Sequence, residues 1–306
     1  VRKDRPSRSA VQVSQVLILV ALEERYAPLF PPELTEPTRE LLTEAGALNP
    51  WRMKLIRSAR YRRFSAWVAR LVSPGHLLHI ALRKRVVGDE AVEAVEQGAD
   101  QILVVGAGMD SLALRVARKF PHVACVELDH PASQRAKRKA VEAAGAVPEN
   151  LHFVPADLGE TSLAEALSGC PAFRPGSRTF TVAEGLTMFL PEPAVHALFD
   201  GVHGVTGTGS RFLFTYMLRD QDGEIILGKS PRMMAFAAKV MGEPIRWAIH
   251  PEDVPAFIEP HGYRLAGGPG PGDRFDLRSR YLEPAGLGND PLGTLENISL
   301  AERLDR

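Results

Sequence analysis

Five short apolar runs, each ending at a glycine or beside a carboxylate, constrain this chain more than any other feature. Residues 101–105 (Gln-Ile-Leu-Val-Val) end at Gly106, residues 122–128 run into Glu127 and Asp129, and residues 151–154 stop three short of Asp157. Residues 178–183 end at Glu184, and residues 211–216 close the series at Tyr216. Stretches with helical spacing separate them, at 111–120, 131–144, 162–167 and 191–202. Strands and helices alternating at these lengths predict a mostly parallel sheet with helices on both faces. Right-handed crossovers then make the fold a doubly wound α/β.

The flanks read differently. Residues 1–95 are predicted to form a helical cap, and 96–306 the α/β core, the two making one compact unit. Residues 263–265 and 275–277 flank the Gly/Pro-rich segment 267–272, so a pair of antiparallel strands is expected there. The apolar run Val16–Leu22 follows Arg2, Lys3, Arg5 and Arg8, as in a secretory leader. Yet Glu23, Glu24 and Arg25 come next, and seven apolar residues fall far short of the ~20 that span a bilayer. A buried helix is the expectation. Lys+Arg and Asp+Glu both total 37, and this neutrality argues against a nucleic-acid binder. Cys125 and Cys170 form no disulfide framework and suggest reduced thiols in a cytoplasmic protein.

In open parallel sheets, ligands bind outside the carboxyl ends of the strands. Gly106 and Gly108 allow a sharp turn and a close backbone approach. Glu127 and Asp129, about 20 residues on, are placed to accept the hydroxyls of a ribose. Asp157 can accept from an adenine amino group, Leu158 can offer an amide and an apolar wall, and Glu184 stands at the fourth strand end. Asp110 reads mainly as a helix cap and His130 as a turn residue. The glycines and the following acid suit a nicotinamide dinucleotide equally well. A ring of acids without a basic clamp repels a pyrophosphate, however, and suits a sulfonium cofactor. A nicotinamide-dependent oxidoreductase and an inactive cofactor-binding module remain the rival readings.

Four segments resemble the motifs of the leucine carboxyl methyltransferase family. They are residues 101–111 with Gly106-Ala107-Gly108-Met109-Asp110-Ser111, Val126-Glu127-Leu128-Asp129-His130-Pro131 with Lys137, Val154-Pro155-Ala156-Asp157-Leu158, and residues 182–191 around Glu184-Gly185. The resemblance implies a class I, Rossmann-like methyltransferase that uses S-adenosyl-L-methionine. It implies cofactor contacts from Gly106, Asp129, Asp157, Leu158 and Glu184. It further implies that Arg85, in Arg85-Val86-Val87-Gly88, meets the cofactor carboxylate. Many relatives carry an arginine soon after the glycine turn, where this chain has Leu112 and Ala113, with Arg115 further on. The family includes protein carboxyl methyltransferases and bacterial enzymes that esterify polyketide carboxylates. The acceptor expected here is a carboxylate of a small natural product, with a protein C-terminal carboxylate as the alternative.

One further feature is independent of the resemblance. Between Glu44 and Asp89 there is no acidic residue, while the interval holds Arg52, Lys54, Arg57, Arg60, Arg62, Arg63, Arg70, Arg83, Lys84 and Arg85. Phe64, Trp67, Val68, Leu71 and Val72 recur there at helical spacing, so part of the segment is expected to pack. The segment is either a solvated face or a positive funnel for an anionic acceptor, with Arg60 and Arg63 as candidate contacts. Met188 and Tyr216 are candidates for the acceptor side, although Met188 and Phe189 also suit plain packing. No metal-ligand cluster, catalytic base or nucleophile is expected, and neither nucleic acid nor a membrane is expected as partner.

Overall fold

The computed structural model describes residues 8–72, 74–220, 223–226, 244–270, 272–293 and 295–305. Arg2, Lys3 and Arg5 lie outside these residues, as do the side chains of Arg8, Val68, Arg70, Leu71 and Val72. Helices α1 (Arg8–Ala21), α2 (Pro32–Glu44), α3 (Pro50–Arg57), α4 (Ala59–Val72) and α5 (His76–Glu96) precede the sheet. The core then alternates β1 (Gln101–Val105), α6 (Leu112–Lys119), β2 (Ala124–Asp129), α7 (Pro131–Ala143), β3 (Leu151–Pro155), α8 (Leu163–Ser168), β4 (Thr179–Ala183), α9 (Glu192–Val205) and β5 (Arg211–Leu218). Strands β6 (Ala248–Ile249), β7 (Tyr263–Gly267) and β8 (Glu296–Arg303) complete it.

The strand order is β3-β2-β1-β4-β5-β8-β7, with β6 pairing in parallel beside the end of β5. Strands β1 to β5 are mutually parallel, whereas β8 runs antiparallel to both β5 and β7. This is the doubly wound, mostly parallel α/β sheet expected. The central strands alternate their side chains between two cores, as period-2 geometry requires. Ile102 and Val104 of β1 join a core with α1, α2, α5, α6 and α7, while Leu103 and Val105 join the opposite core with α8 and α9. The cap helices and the sheet therefore share one apolar core. The run Val16–Leu22 falls largely within α1, where Leu17, Ile18 and Val20 are buried. No helix among the described residues is long and apolar enough to cross a membrane.

Local chemistry explains the helix starts at the ligand-facing edge. His130 caps α7 by accepting the Ala132 amide at 3.3 Å, and Pro131 supplies a preset first-turn φ. Ser162 caps α8 by accepting from Glu165, three residues on.

One expectation needs correction. Residues 263–265 do form β7, but residues 275–277 do not form its partner. Phe275 and Leu277 instead drop into the core, and β7 pairs with β8. The antiparallel partner lies some thirty residues further on, so no local turn signal could identify it.

Candidate cofactor site

The carboxyl ends of β1, β2, β3 and β4 converge as expected for the fold, and each contributes a polar group. After β1 the chain turns through Gly106 (φ 71°) and Gly108 (φ 50°), both left-handed. A Cβ on Gly108 would stand 2.7 Å from the Cβ of Ala10, so α1 lies directly on this loop. Ser14, one turn further along α1, donates to the Met109 carbonyl at 3.1 Å. Asp129, at the end of β2, accepts the Gly108 amide on Oδ2 at 2.5 Å and the His130 amide on Oδ1 at 2.6 Å. A carboxylate offers about four lone-pair sites, so Asp129 holds the loop and retains about two for further donors. Burial raises its pKa, against the lowering by those two amides. Asp157 is half-exposed; it accepts the Gly159 amide at 2.9 Å and lies 3.7 Å from His130 Nε2. Leu158, partly buried, packs against the α8–α9 core.

A buried charge cluster fills the gap between these loops and α5. Arg83 Nε donates to Glu184 Oε1 at 2.7 Å, and the same guanidinium pairs with Glu296, at the start of β8. Lys84 Nζ bonds Asp110 Oδ2 at 2.5 Å and lies 3.1 Å from Glu184 Oε1. Asp110 also caps α6, since its Oδ1 accepts the Leu112 amide at 2.5 Å. Arg115 passes over Gly88, where a Cβ would come within 3.0 Å of its guanidinium. Burial lowers Arg115, against the raising pull of Asp110, Glu184 and Asp89. Burial would likewise lower Arg83 and Lys84, but their carboxylate partners outweigh it and raise both. Burial would raise Asp110, yet Lys84 and Arg115 together hold it well below the usual carboxylate range.

The cluster therefore opposes Arg83, Lys84 and Arg115 to Asp110, Glu184 and Glu296. The expectation of acids without a basic clamp is thus corrected: cations are present, and each already faces carboxylates. The sequence places Arg83 and Lys84 only within the basic interval and gives no signal for Glu296, while the resemblance points to Arg85. Arg85 is not at the strand ends. It pairs with Asp89 at 3.0 Å, donates to the Leu29 carbonyl and lies over the Tyr281 ring. Positions 83 and 85 are about 200° apart around a helix, so they face opposite ways. The signal was available: Arg85 and Asp89 form an i,i+4 pair, while Arg83 lies between Leu82 and Val86 on the apolar side.

Five other candidates have surroundings of their own. Glu127 is fully buried and its Oε1 bonds Lys137 Nζ at 2.6 Å, so that oxygen serves the β2–α7 packing, while Oε2 is buried without a hydrogen-bond partner. Burial pushes its pKa up to about 7, with Lys137 opposing. Tyr216 belongs to the core beside Phe214, with its hydroxyl accepting from Ser299 at 3.4 Å. Met188 packs with Met217, Ala248 and Leu295. Arg60 and Arg63 are exposed on α4, and no ion pair or hydrogen bond among the described residues joins them to the strand-end cluster. Their neighbour Arg62 ties α4 to Glu23, just beyond the C-terminal end of α1, at 2.7 Å. Cys125 is core, its thiol pushed up to about 12 by burial. Among the described residues no cluster suited to a metal ion occurs.

Comparison with known proteins agrees with this geometry. The chain is similar to a Bacillus subtilis protein named as a candidate S-adenosyl-L-methionine-dependent methyltransferase, 26% identical over 69% of this chain and 68% of the relative. A Mycolicibacterium vanbaalenii protein with the same description is 29% identical over 72% of each chain. The fold matches that of a candidate methyltransferase from Thermobifida fusca with a TM-score of 0.54 and 17% identity, covering 87% of this chain and 94% of that one. The family model for leucine carboxyl methyltransferases matches residues 15–203, which include the glycine loop, Asp129, Asp157, Glu184 and both buried cations of α5. The chain belongs to the leucine carboxyl methyltransferase family, a family of S-adenosylmethionine-dependent methyltransferases.

Proposed function

We propose that this chain transfers a methyl group from S-adenosylmethionine to a carboxylate oxygen of a small-molecule acceptor. The donor fits the residues present. Asp129 has acceptor sites left for the ribose hydroxyls, and Asp157 and Leu158 stand beside it for the adenine. Arg83 and Lys84 would meet the donor's carboxylate, with Glu184 and Asp110 beside them for its ammonium. Arg85, engaged with Asp89 and Leu29, has no part in this reading. When bound, the donor supplies an electrophilic methyl carbon on a positively charged sulfur.

The single observation that carries the carboxylate assignment is the state of the histidines near the strand ends. His130 spends Nδ1 on capping α7, and its Nε2 stands 3.7 Å from the Asp157 carboxylate. His79, one turn before Arg83, is pulled down to about 3 by burial, then by Arg83 and His76. So weak a base cannot take a proton from a phenol of pKa near 10. A carboxylic acid of pKa near 4 is already ionised at neutral pH and needs no base. The protein then has only to hold oxygen, carbon and sulfur in line, and orientation alone can supply much of the acceleration.

The test is a panel of carboxylic acids and phenols with isotopically labelled donor. The expected product is a methyl ester cleaved by mild alkali, formed at a chemical rate nearly flat from about pH 6 to 9. An alkali-stable product whose rate rises through a histidine-like pKa would reject the carboxylate. Asp129→Ala is expected to weaken S-adenosylhomocysteine binding by ~1.5–3 kcal/mol in calorimetry. Unchanged binding would reject the ribose role.

A further inference from the structure

Helices α3 and α4 carry the largest exposed apolar groups of the molecule among the described residues. Trp51 is 68% exposed, Phe64 60% and Trp67 58%. Phe64 and Trp67 stack on each other at 6.2 Å. Arg60, Arg63, Phe64 and Trp67 follow i, i+3, i+4, i+7 spacing, so they share one stripe of α4, and all four are exposed. Trp51, Arg52, Lys54 and Arg57 are exposed on α3 just before it. None of the ion pairs among the described residues uses Arg52, Lys54, Arg57, Arg60 or Arg63. The whole interval from residue 45 to 88 lacks a carboxylate. An ordinary surface helix turns its aromatic residues inward; this one turns them out among cations.

We propose that α3 and α4 form a peripheral docking surface for an anionic lipid membrane. Helices of 8 and 14 residues are too short to span a bilayer. Lying in the interface, they can bury aromatic side chains at the headgroup boundary while their arginines meet lipid phosphates. Charge decides between this partner and others. A second copy of the chain, docked through the same face about a two-fold axis, would set five cations against five cations. A neutral apolar partner would leave those cations unmatched. Only a partner that is both negative and apolar at its boundary satisfies both halves of the stripe. Interfacial binding needs no long apolar run, so the lack of a spanning helix among the described residues does not bear on it.

The turn after α4 is packed on the segment entering β8, since a Cβ on Gly75 would stand 2.3 Å from the Pro291 carbonyl oxygen. Strand β8 begins opposite the carboxyl end of β5, with Glu296 against Met217. The end of α4 thus lies near the segment that enters β8.

The experiment is co-sedimentation of the full chain with vesicles of phosphatidylcholine alone or with 30% phosphatidylglycerol (roughly, by mole) at low and high salt. Tryptophan emission is recorded in parallel. Of the three tryptophans, Trp247 is 2% exposed, so a blue shift reports on Trp51 and Trp67. The expected result is binding to the anionic vesicles at least tenfold tighter than to neutral ones, abolished by high salt, with a blue shift. The Phe64→Ser/Trp67→Ser variant and the Arg60→Gln/Arg63→Gln variant should each bind at least tenfold more weakly while melting like the wild type. Failure of the wild type to bind anionic vesicles overturns the proposal, whatever the variants do. So does vesicle binding unchanged in both variants, or a stripe-dependent dimer or stripe-dependent binding of single-stranded oligonucleotide without vesicle binding.

Discussion

Two neighbouring parts of one acid-free interval meet opposite fates. Arg60 and Arg63 stand in water on α4, while Arg83 and Lys84, twenty residues later, are buried against Glu184, Glu296 and Asp110. The residue types are the same and the local sequence is equally free of carboxylates. The difference lies in the partners that the fold delivers. Glu184 comes from the end of β4 and Glu296 from the start of β8, both far away in sequence and both brought to α5 by the sheet. A buried charge requires a partner, because desolvation costs several kcal/mol per ion. An exposed charge does not. A run of arginines is therefore not one feature but two, and burial separates them.

The largest effect expected from that contrast is on folding. Arg83→Met removes the shared partner of two buried carboxylates and is expected to cost about 3–5 kcal/mol in denaturant melts. Arg85→Met, which breaks a half-exposed pair with Asp89, should cost less than about 1 kcal/mol. Equal costs would erase the distinction drawn between the two faces of α5. The Glu127–Lys137 pair sharpens the point on a second site. Lys137→Met alone should cost about 3–5 kcal/mol, and the Glu127→Gln/Lys137→Met double variant should recover much of that loss. A double variant no better than the single would show that the loss reflects packing and not an abandoned charge.

A smaller effect appears against pH. His79 is held at about 3 in the folded chain, while an unfolded histidine titrates near 6.5. Its folded value is depressed, so the unfolded state takes up the proton first as pH falls. The stabilisation is full above about pH 6.5 and is lost progressively towards 3, about 2 kcal/mol of it by pH 5. Replacing His79 by Leu should flatten the stability profile between pH 7 and 5 relative to the wild type. An unchanged slope would assign that loss to other groups. The smallest effect belongs to the exposed half of the comparison. Arg60→Gln and Arg63→Gln should each shift stability by no more than about 0.5 kcal/mol.

What the sequence determined by itself was local. Strand ends at Gly106, Asp129, Asp157 and Glu184, the sharp turn at Gly106 and Gly108, and the cap at Asp110 all follow from patterns a few residues long. Such patterns carry both the period of each element and the residue that ends it, and they sufficed for the parallel sheet and the glycine loop. The tertiary structure decided everything that depends on a distant partner. It paired β7 with β8 and not with residues 275–277, since strand pairing is set by register across the sheet. It gave Glu127 to Lys137 and placed Tyr216 in the core. It also chose Arg83 over Arg85, because two positions so close in sequence point to opposite sides of a helix, and only the packed fold says which side holds the carboxylates.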